Sequence, residues 1–224
     1  MTTDEFSNEL DTRLNKYNIN LNEYEKSIYL TSAQTEVVKS YFPIGIERNA
    51  KIGIDLKELI RGYISEDKIT SLNKISDNSK FFKVPDNILF ILQEQCNIIS
   101  SDSCLNGKLL DIVPKTHDEY NVQIKNPFRK PNSSVVWRLY YSKQDLSDNV
   151  ELISPYDISK YKVRYIAYPE PIVLTNLSTG SFGEGLSIDG VTTYQTCKLN
   201  ESIHRDILNK AIELILTNYN PKQG

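Results

Sequence analysis

The sequence predicts an α+β fold. Helical periodicity fills the first third of the chain, β-rich runs occupy the middle, and one amphipathic helix closes it. A parallel α/β fold would instead alternate strand and helix along its whole length. The expected organisation is a single structural domain over residues 1–224. It has an N-terminal helical arm at about 1–75 and a β-rich core plus C-terminal helix at about 81–219.

Phe6, Leu10, Leu14 and Tyr17 recur at helical spacing and line one face of a first helix. A second helix is expected to open near Thr31, which has capping-box spacing to Gln34. Val37, Val38, Tyr41 and Phe42 form its apolar stripe, and Pro43 stops it. A third is expected from Asp55, with Leu56, Leu59, Ile60, Tyr63 and Ile64 on its buried side and Gly62 as a weak point.

From Phe81 onward the pattern changes. Ile88–Leu92 is a continuous apolar run and predicts a strand buried on both faces. Val135–Tyr141 is β-rich, with Trp137 and Leu139 on one face and Arg138 and Tyr140 on the other. That alternation predicts a core Trp137 and a surface Arg138. A short strand covers Val150–Ile153. Lys162–Tyr168 alternates with Val163, Tyr165 and Ala167 on one face, and Ile172–Leu174 is expected to extend it as an edge segment.

Residues 178–190 hold Gly180, Gly183, Gly185 and Gly190, too many for a regular element, and predict a mobile hairpin or loop tip, whose functional form is a loop that orders against a neighbouring chain. The last helix opens near Leu199, with Asn200 as cap. Ile203, Ile207, Leu208, Ala211, Leu214 and Ile215 make its apolar face.

Composition excludes several functions. With 26 Lys plus Arg against 29 Asp plus Glu, the net charge of −3 argues against a general nucleic-acid coat. No apolar run reaches the roughly 18 residues of a membrane span, and the acidic start lacks the pattern of a secretion signal. Three cysteines (Cys96, Cys104 and Cys197) and two histidines (His117 and His204) have no zinc-site spacing, so no metal or other cofactor is expected. Reduced, mostly buried thiols are expected instead.

Cys197 and His204 lack a third orienting group for nucleophilic catalysis, and His204 reads as a polar-face or capping residue. Gly180–Gly185 resembles a phosphate loop only in its glycines: Glu184 would repel phosphate and no helix follows. The adjacent pairs Asp4–Glu5 and Asp118–Glu119 are poor acid/base partners. No catalytic residue is assigned.

Residues 121–143 carry Lys125, Arg129, Lys130, Arg138 and Lys143 without a single acid, interleaved with Trp137, Tyr140 and Tyr141. Such a stretch can hold nucleic acid, but in a near-neutral chain a solvated face or a subunit contact, where Trp, Tyr and Arg concentrate binding energy, is the favoured reading. The 14 Tyr against 7 Phe favour wet protein interfaces. The candidate interface comprises Lys125, Arg129, Lys130, Arg138, Tyr141, Gly180, Gly183 and Gly185.

Several stretches in order carry a family resemblance. These are Asn22–Gln34, Lys125–Pro131, Trp137–Leu139, Lys162–Leu174, Ile188–Gly190, Cys197–Leu199 and His204–Ala211. The chain resembles the ring proteins of crAss-like podoviruses, which stack below the portal to build the tail barrel. The resemblance spans roughly residues 4–219. It implies a virion structural protein and not an enzyme, made in the host cytoplasm and placed in the tail or neck. It also implies a homo-oligomeric ring of about twelve copies, bound to the portal and to adjacent ring proteins, through which DNA passes during ejection.

Three other readings compete. One is a nucleic-acid-binding module using the basic segment, including Tyr141. Another is a neck factor that binds the portal directly. The third is a small cytosolic enzyme with a dispersed site.

Overall fold

The computed structural model describes residues 1–42, 55–66, 68–69, 74–142, 148–178 and 185–219. Its described helices are α1 (Thr3–Leu14), α2 (Glu23–Ser40), α3 (His117–Gln123) and α4 (His204–Tyr219). Its strands are β1 (Ile60–Ser65), β2 (Lys68–Ile69), β3 (Ser79–Lys83), β4 (Ile88–Ile99), β5 (Leu109–Pro114), β6 (Val135–Ser142), β7 (Asp148–Ile153) and β8 (Asp157–Ala167). The fold is α+β. The chain divides into two compact units, one made of both chain ends (1–59 and 168–224) and one contiguous (60–167).

In the first unit, Thr2 caps α1 in a capping box with Glu5, and Phe6, Leu10 and Leu14 are fully buried as their spacing predicts. Tyr17 lies beyond the helix in a short 3₁₀ turn and is exposed. The second helix starts eight residues earlier than the sequence suggested. Asn22 and Glu25 form its capping box, so Thr31 sits in mid-helix. The Asn22 carbonyl oxygen of the side chain accepts from Glu25 N–H at 2.9 Å, a closure that needs no tertiary support.

The inner face of α2 is partly polar, with Ser27, Thr31 and Gln34 all buried. These side chains hold the segment after β8. Ser27 Oγ accepts from Leu174 N–H (2.9 Å), Thr31 Oγ1 accepts from Ile172 N–H (3.1 Å), and Gln34 Nε2 donates to Glu170 O (2.8 Å). Every second residue of an extended chain thus meets successive turns of a helix. Two residues of strand rise about 6.6 Å, close to the roughly 6 Å of four helical residues. Ile172–Leu174 therefore does not extend the sheet as expected. Its only described bridge joins Val173 to Gln195.

The C-terminal helix packs on α1 and α2. Asn200 caps a 3₁₀ turn (Glu201–Ile203) that leads into it. Ile207, Leu208, Ala211 and Ile215 are buried and Leu214 half-buried. His204, read as a polar-face residue, is also buried, with its ring 5.4 Å from that of Phe6.

In the second unit, Ile60–Ser65 is a strand and not the continuation of a helix. Its register against β8 runs from Ile60↔Ile166 to Ser65↔Tyr161. The Leu–Ile–Tyr–Ile spacing permits a helix, but β-branched Ile60 and Ile64 around Gly62 also suit a strand, and sheet pairing decides. One eight-stranded mixed sheet has the order β1-β8-β4-β5-β6-β7-β3-β2. Among the described strands, only β5 and β6 run parallel.

This sheet curls on itself. Phe82 on β3 and Tyr161 on β8 have ring centroids 6.1 Å apart. Five strand steps separate their strands, about 24 Å in a flat sheet. The enclosed core gathers Cys96, Ile98, Leu110, Val136, Val150 and Val163 among others. Val163, Tyr165 and Ala167 share this face as predicted.

Ile88–Leu92, expected to be buried on both faces, is only half-buried. Register shifts between Ile88 and Phe90 and between Ile91 and Gln93 break the alternation there.

Candidate assembly surface

The basic stretch of the sequence divides into an inward and an outward part. Val136, Arg138 and Tyr140 share one face of β6, while Trp137 and Leu139 share the other. Trp137 is buried against Tyr120 of α3, edge-on at 6.2 Å. Arg138 corrects the sequence reading: it is 4% exposed and faces the sheet interior, not solvent.

The physical reason is its partner. Glu94 on β4, also buried, lies 3.2 Å from Arg138 Nη1. The Tyr161 hydroxyl donates to the same carboxylate at 2.5 Å. The Arg138 guanidinium stacks 4.0 Å from the Tyr140 ring centroid. Burial raises the Glu94 carboxyl above its ordinary range, opposed by the Arg138 charge and by the bonds from Tyr161 and Arg138. Burial, followed by the Glu94 charge, also raises the Tyr161 phenol. The three side chains form a buried cluster in which Arg138 and Tyr161 both bond the Glu94 carboxylate, while Arg138 Nε has no hydrogen-bond partner.

Lys125, Arg129 and Lys130 stay exposed on the turn between α3 and β6. That turn is braced from within. Thr116 and Glu119 cap α3, which explains the adjacent acids Asp118–Glu119 as first-turn residues of a helix. Asn126 Oδ1 accepts from Phe128 N–H (3.0 Å), and Arg129 N–H returns to Asn126 O (3.1 Å). Asn132 Oδ1 accepts from Ser134 N–H at 2.8 Å, and Lys108 Nζ donates to Ser133 O at 3.1 Å. Pro127 and Pro131 further restrict the backbone. Phe128 lies on this braced turn and is 94% exposed.

Two concavities lie on the same unit. A polar trough of about 670 Å³ runs over β1, β8 and β4 between Gly62, Ile64, Gln93, Gln95, Lys162 and Arg164. A smaller cavity of about 130 Å³ is lined by Val84, Pro85, Ile88, Leu89, Tyr140 and Val150. Its lining carries no charged side chain, and the exposed Lys83 and Asp86 flank Val84 and Pro85 in sequence.

The remaining candidates are placed as follows. Tyr141 lies on β6, opposite Asn149. Gly180 and Gly183 fall outside the described residues. Gly185 adopts φ +92°, a left-handed conformation that favours glycine.

Cys96 and Cys197 are buried and Cys104 is exposed. Burial, followed by the Asp111 charge, pushes the Cys96 thiol up to about 12. His204 uses both ring nitrogens in packing: Nε2 donates to Leu199 O (3.0 Å), and Nδ1 accepts from the Met1 ammonium (2.9 Å). Among the described residues, no group of His, Cys, Asp and Glu could hold a metal ion, and no helix is long and apolar enough to cross a membrane.

Sequence reasoning singled out Arg129 and Lys130 but missed Phe128 between them and their prolines. Pro127 and Pro131 flanking an aromatic within a basic run were the available signal. It also missed the cavity, which is assembled from three strands (β4, β6 and β7) and the residues after β3, with no local pattern.

Arg138, Glu94 and His204 are thus buried in the interior, while Phe128 is left in water. The chain belongs to the phage tail ring protein 3/4 family, whose model matches residues 1–224. It is 36% identical over 228 aligned positions to "Ring protein 3" of Bacteroides phage crAss001, covering 96% of this chain and 95% of the relative. To "Ring protein 4/5" of the same phage it is 35% identical over 235 aligned positions, covering 98% and 94%. The fold and these relatives mark it as a ring-type structural protein of the virion tail.

Proposed function

We propose that this chain forms a homo-oligomeric ring in the tail barrel below the portal, contacts adjacent rings, and surrounds the path along which DNA leaves the capsid. The single observation that carries this reading is family membership over the entire chain, shared at nearly equal identity with two ring proteins of one phage. Stacked rings built from related subunits need surfaces that repeat around an axis, and a closed ring of about twelve copies needs head-to-tail contacts between unlike patches. Rigid exposed apolar groups supply such patches at low ordering cost. The exposed cations Lys125, Arg129 and Lys130 serve protein contacts in this reading.

Native mass spectrometry of the chain, alone and with its portal, together with electron microscopy of the virion, tests the proposal. A closed multimer located on the tail axis is expected. A chain that remains a monomer in both conditions and is missing from the tail overturns it.

A further inference from the structure

The sheet of the second unit ends in two unlike edges. β2 is two residues long, and so short an edge offers little to pair with. β1 has six residues, pairs with β8 in unbroken register, and among the described residues has no strand on its other side. It contains no proline and one charge, Arg61, so the usual guards against a further strand are thin. Alternate residues of an edge strand turn their N–H and C=O away from the sheet. No hydrogen bond beyond the ladder to β8 engages the main chain of Gly62, Tyr63 or Ile64 among the described residues.

Gly62 stands out on this edge. Its φ is not positive, so the backbone conformation does not require glycine, and an added Cβ would meet nothing within 4 Å. Glycine weakens a strand and often marks a place where another backbone comes close. Here the missing side chain leaves a path. Gly62 pairs with Arg164 on β8, which pairs in turn with Gln93 on β4. Arg164 is exposed and Lys162 half-buried, and neither side chain has an ion pair or hydrogen bond among the described residues. Both line the 670 Å³ trough with Gln93 and Gln95, and its lining includes no acid. Asp111, opposite Gln95 on β5, accepts from Gln95 Nε2 at 3.0 Å.

We propose that the free edge of β1 takes up an extended segment of another protein chain, with an acidic side chain opposite Gly62. This goes beyond the ring reading, which names no segment, and does not depend on it. A strand added at β1 would lie two strand steps, about 9.6 Å, from β8. Arg164 extends across that gap over Gly62, and its guanidinium meets the incoming carboxylate. The residue two positions along the added strand faces Ile64, which is 56% exposed, and forms an apolar cross-strand pair. Lys162, opposite Ile64 on β8, contributes a second positive charge. A phosphate backbone would answer the two cations alone. An extended peptide also pairs the free main-chain groups and covers Ile64.

The test uses the full-length chain and a fluorescent Thr-rich peptide in which every second residue is alternately Glu and Val. The same peptide with Lys for Glu and a short single-stranded thymidine oligonucleotide serve as comparisons. Fluorescence anisotropy should show saturable binding of the Glu peptide, at least tenfold tighter than either comparison and weaker as salt rises. Hydrogen exchange of the β1 amides should slow on binding. Arg164→Glu should cost the Glu peptide at least tenfold in affinity and improve binding of the Lys peptide. Gly62→Thr puts a β-favouring side chain into open space, so the denaturant midpoint should hold or rise while affinity falls at least tenfold.

A Glu peptide that binds no better than the Lys peptide overturns the proposal. So does protection confined to other elements, or a Gly62→Thr chain that binds as wild type does. An oligonucleotide that binds more tightly than the Glu peptide would assign the trough to nucleic acid and equally overturn it. None of these outcomes bears on ring closure, which native mass spectrometry and electron microscopy decide separately.

Discussion

The Arg138 guanidinium lies 3.2 Å from the Glu94 carboxylate across the interior of a curled sheet, with both side chains almost sealed from water. The Tyr161 hydroxyl supplies a further bond to the same carboxylate. Removing one charge strands the other, which costs more than the pair contributes. Arg138→Met is therefore expected to lose about 3–5 kcal/mol in urea unfolding. The double variant Arg138→Met/Glu94→Leu should recover most of that loss. A single Arg138→Met variant as stable as wild type would show that Glu94 is not held as a charge.

His204 gives a pH dependence of defined sign. Burial first, and the Met1 ammonium second, hold its pKa below the ordinary histidine value of 6.5. The folded state thus prefers the neutral ring. The stability it contributes is fully present above about pH 6.5 and is lost as pH falls through the depressed folded value. Thermal unfolding should show a midpoint that drops on acidification below pH 6.5, and His204→Gln should reduce that slope. Equal slopes in both proteins would assign the acid sensitivity elsewhere.

Thr31 bridges helix and extended chain through Ile172. Thr31→Val keeps the shape but leaves the buried Ile172 N–H without its acceptor. A loss of about 1–3 kcal/mol is expected. The exposed neighbour Ser32 serves as control, with Ser32→Ala expected within about 0.5 kcal/mol of wild type. Denaturant midpoints of the two variants make the comparison.

Asn22→Ala removes the cap that sets the true start of α2. A loss of about 1 kcal/mol with an unchanged denaturant slope is expected. A variant with no loss would mean that packing alone fixes the helix start.

Local patterns were legible in the sequence wherever one face of one element decided the outcome. Phe6, Leu10 and Leu14, the alternation of Val163, Tyr165 and Ala167, and the apolar face of the last helix all emerge as read. Errors arose where a distant partner overrode the local signal. Thr31 and Gln34 look like a cap because capping and backbone-bridging use the same polar side chains, and only the Ile172 segment distinguishes the two roles. Ile60–Ser65 becomes a strand because β8 offers an edge more than 90 residues away. Arg138 alternates like a surface residue, yet a carboxylate 44 positions earlier draws it inward. Of the candidate surface, the cations flanking Phe128 stand out by composition, whereas the apolar cavity depends on sheet curvature, which no run of residues encodes.

The unit built from both chain ends imposes an order on synthesis. Residues 60–167 leave the ribosome as one continuous stretch and hold every strand of the sheet. Phe6, made among the first residues, must wait for His204 before its ring has that neighbour. At about 5–20 residues per second, this delay is roughly 10–40 s. Throughout it the apolar stripe of α1 has no α4 to cover it. Translation that stops early thus yields a molecule with a finished sheet and a bare helical flank, an exposed patch by which cellular quality control can tell an incomplete subunit from a finished one.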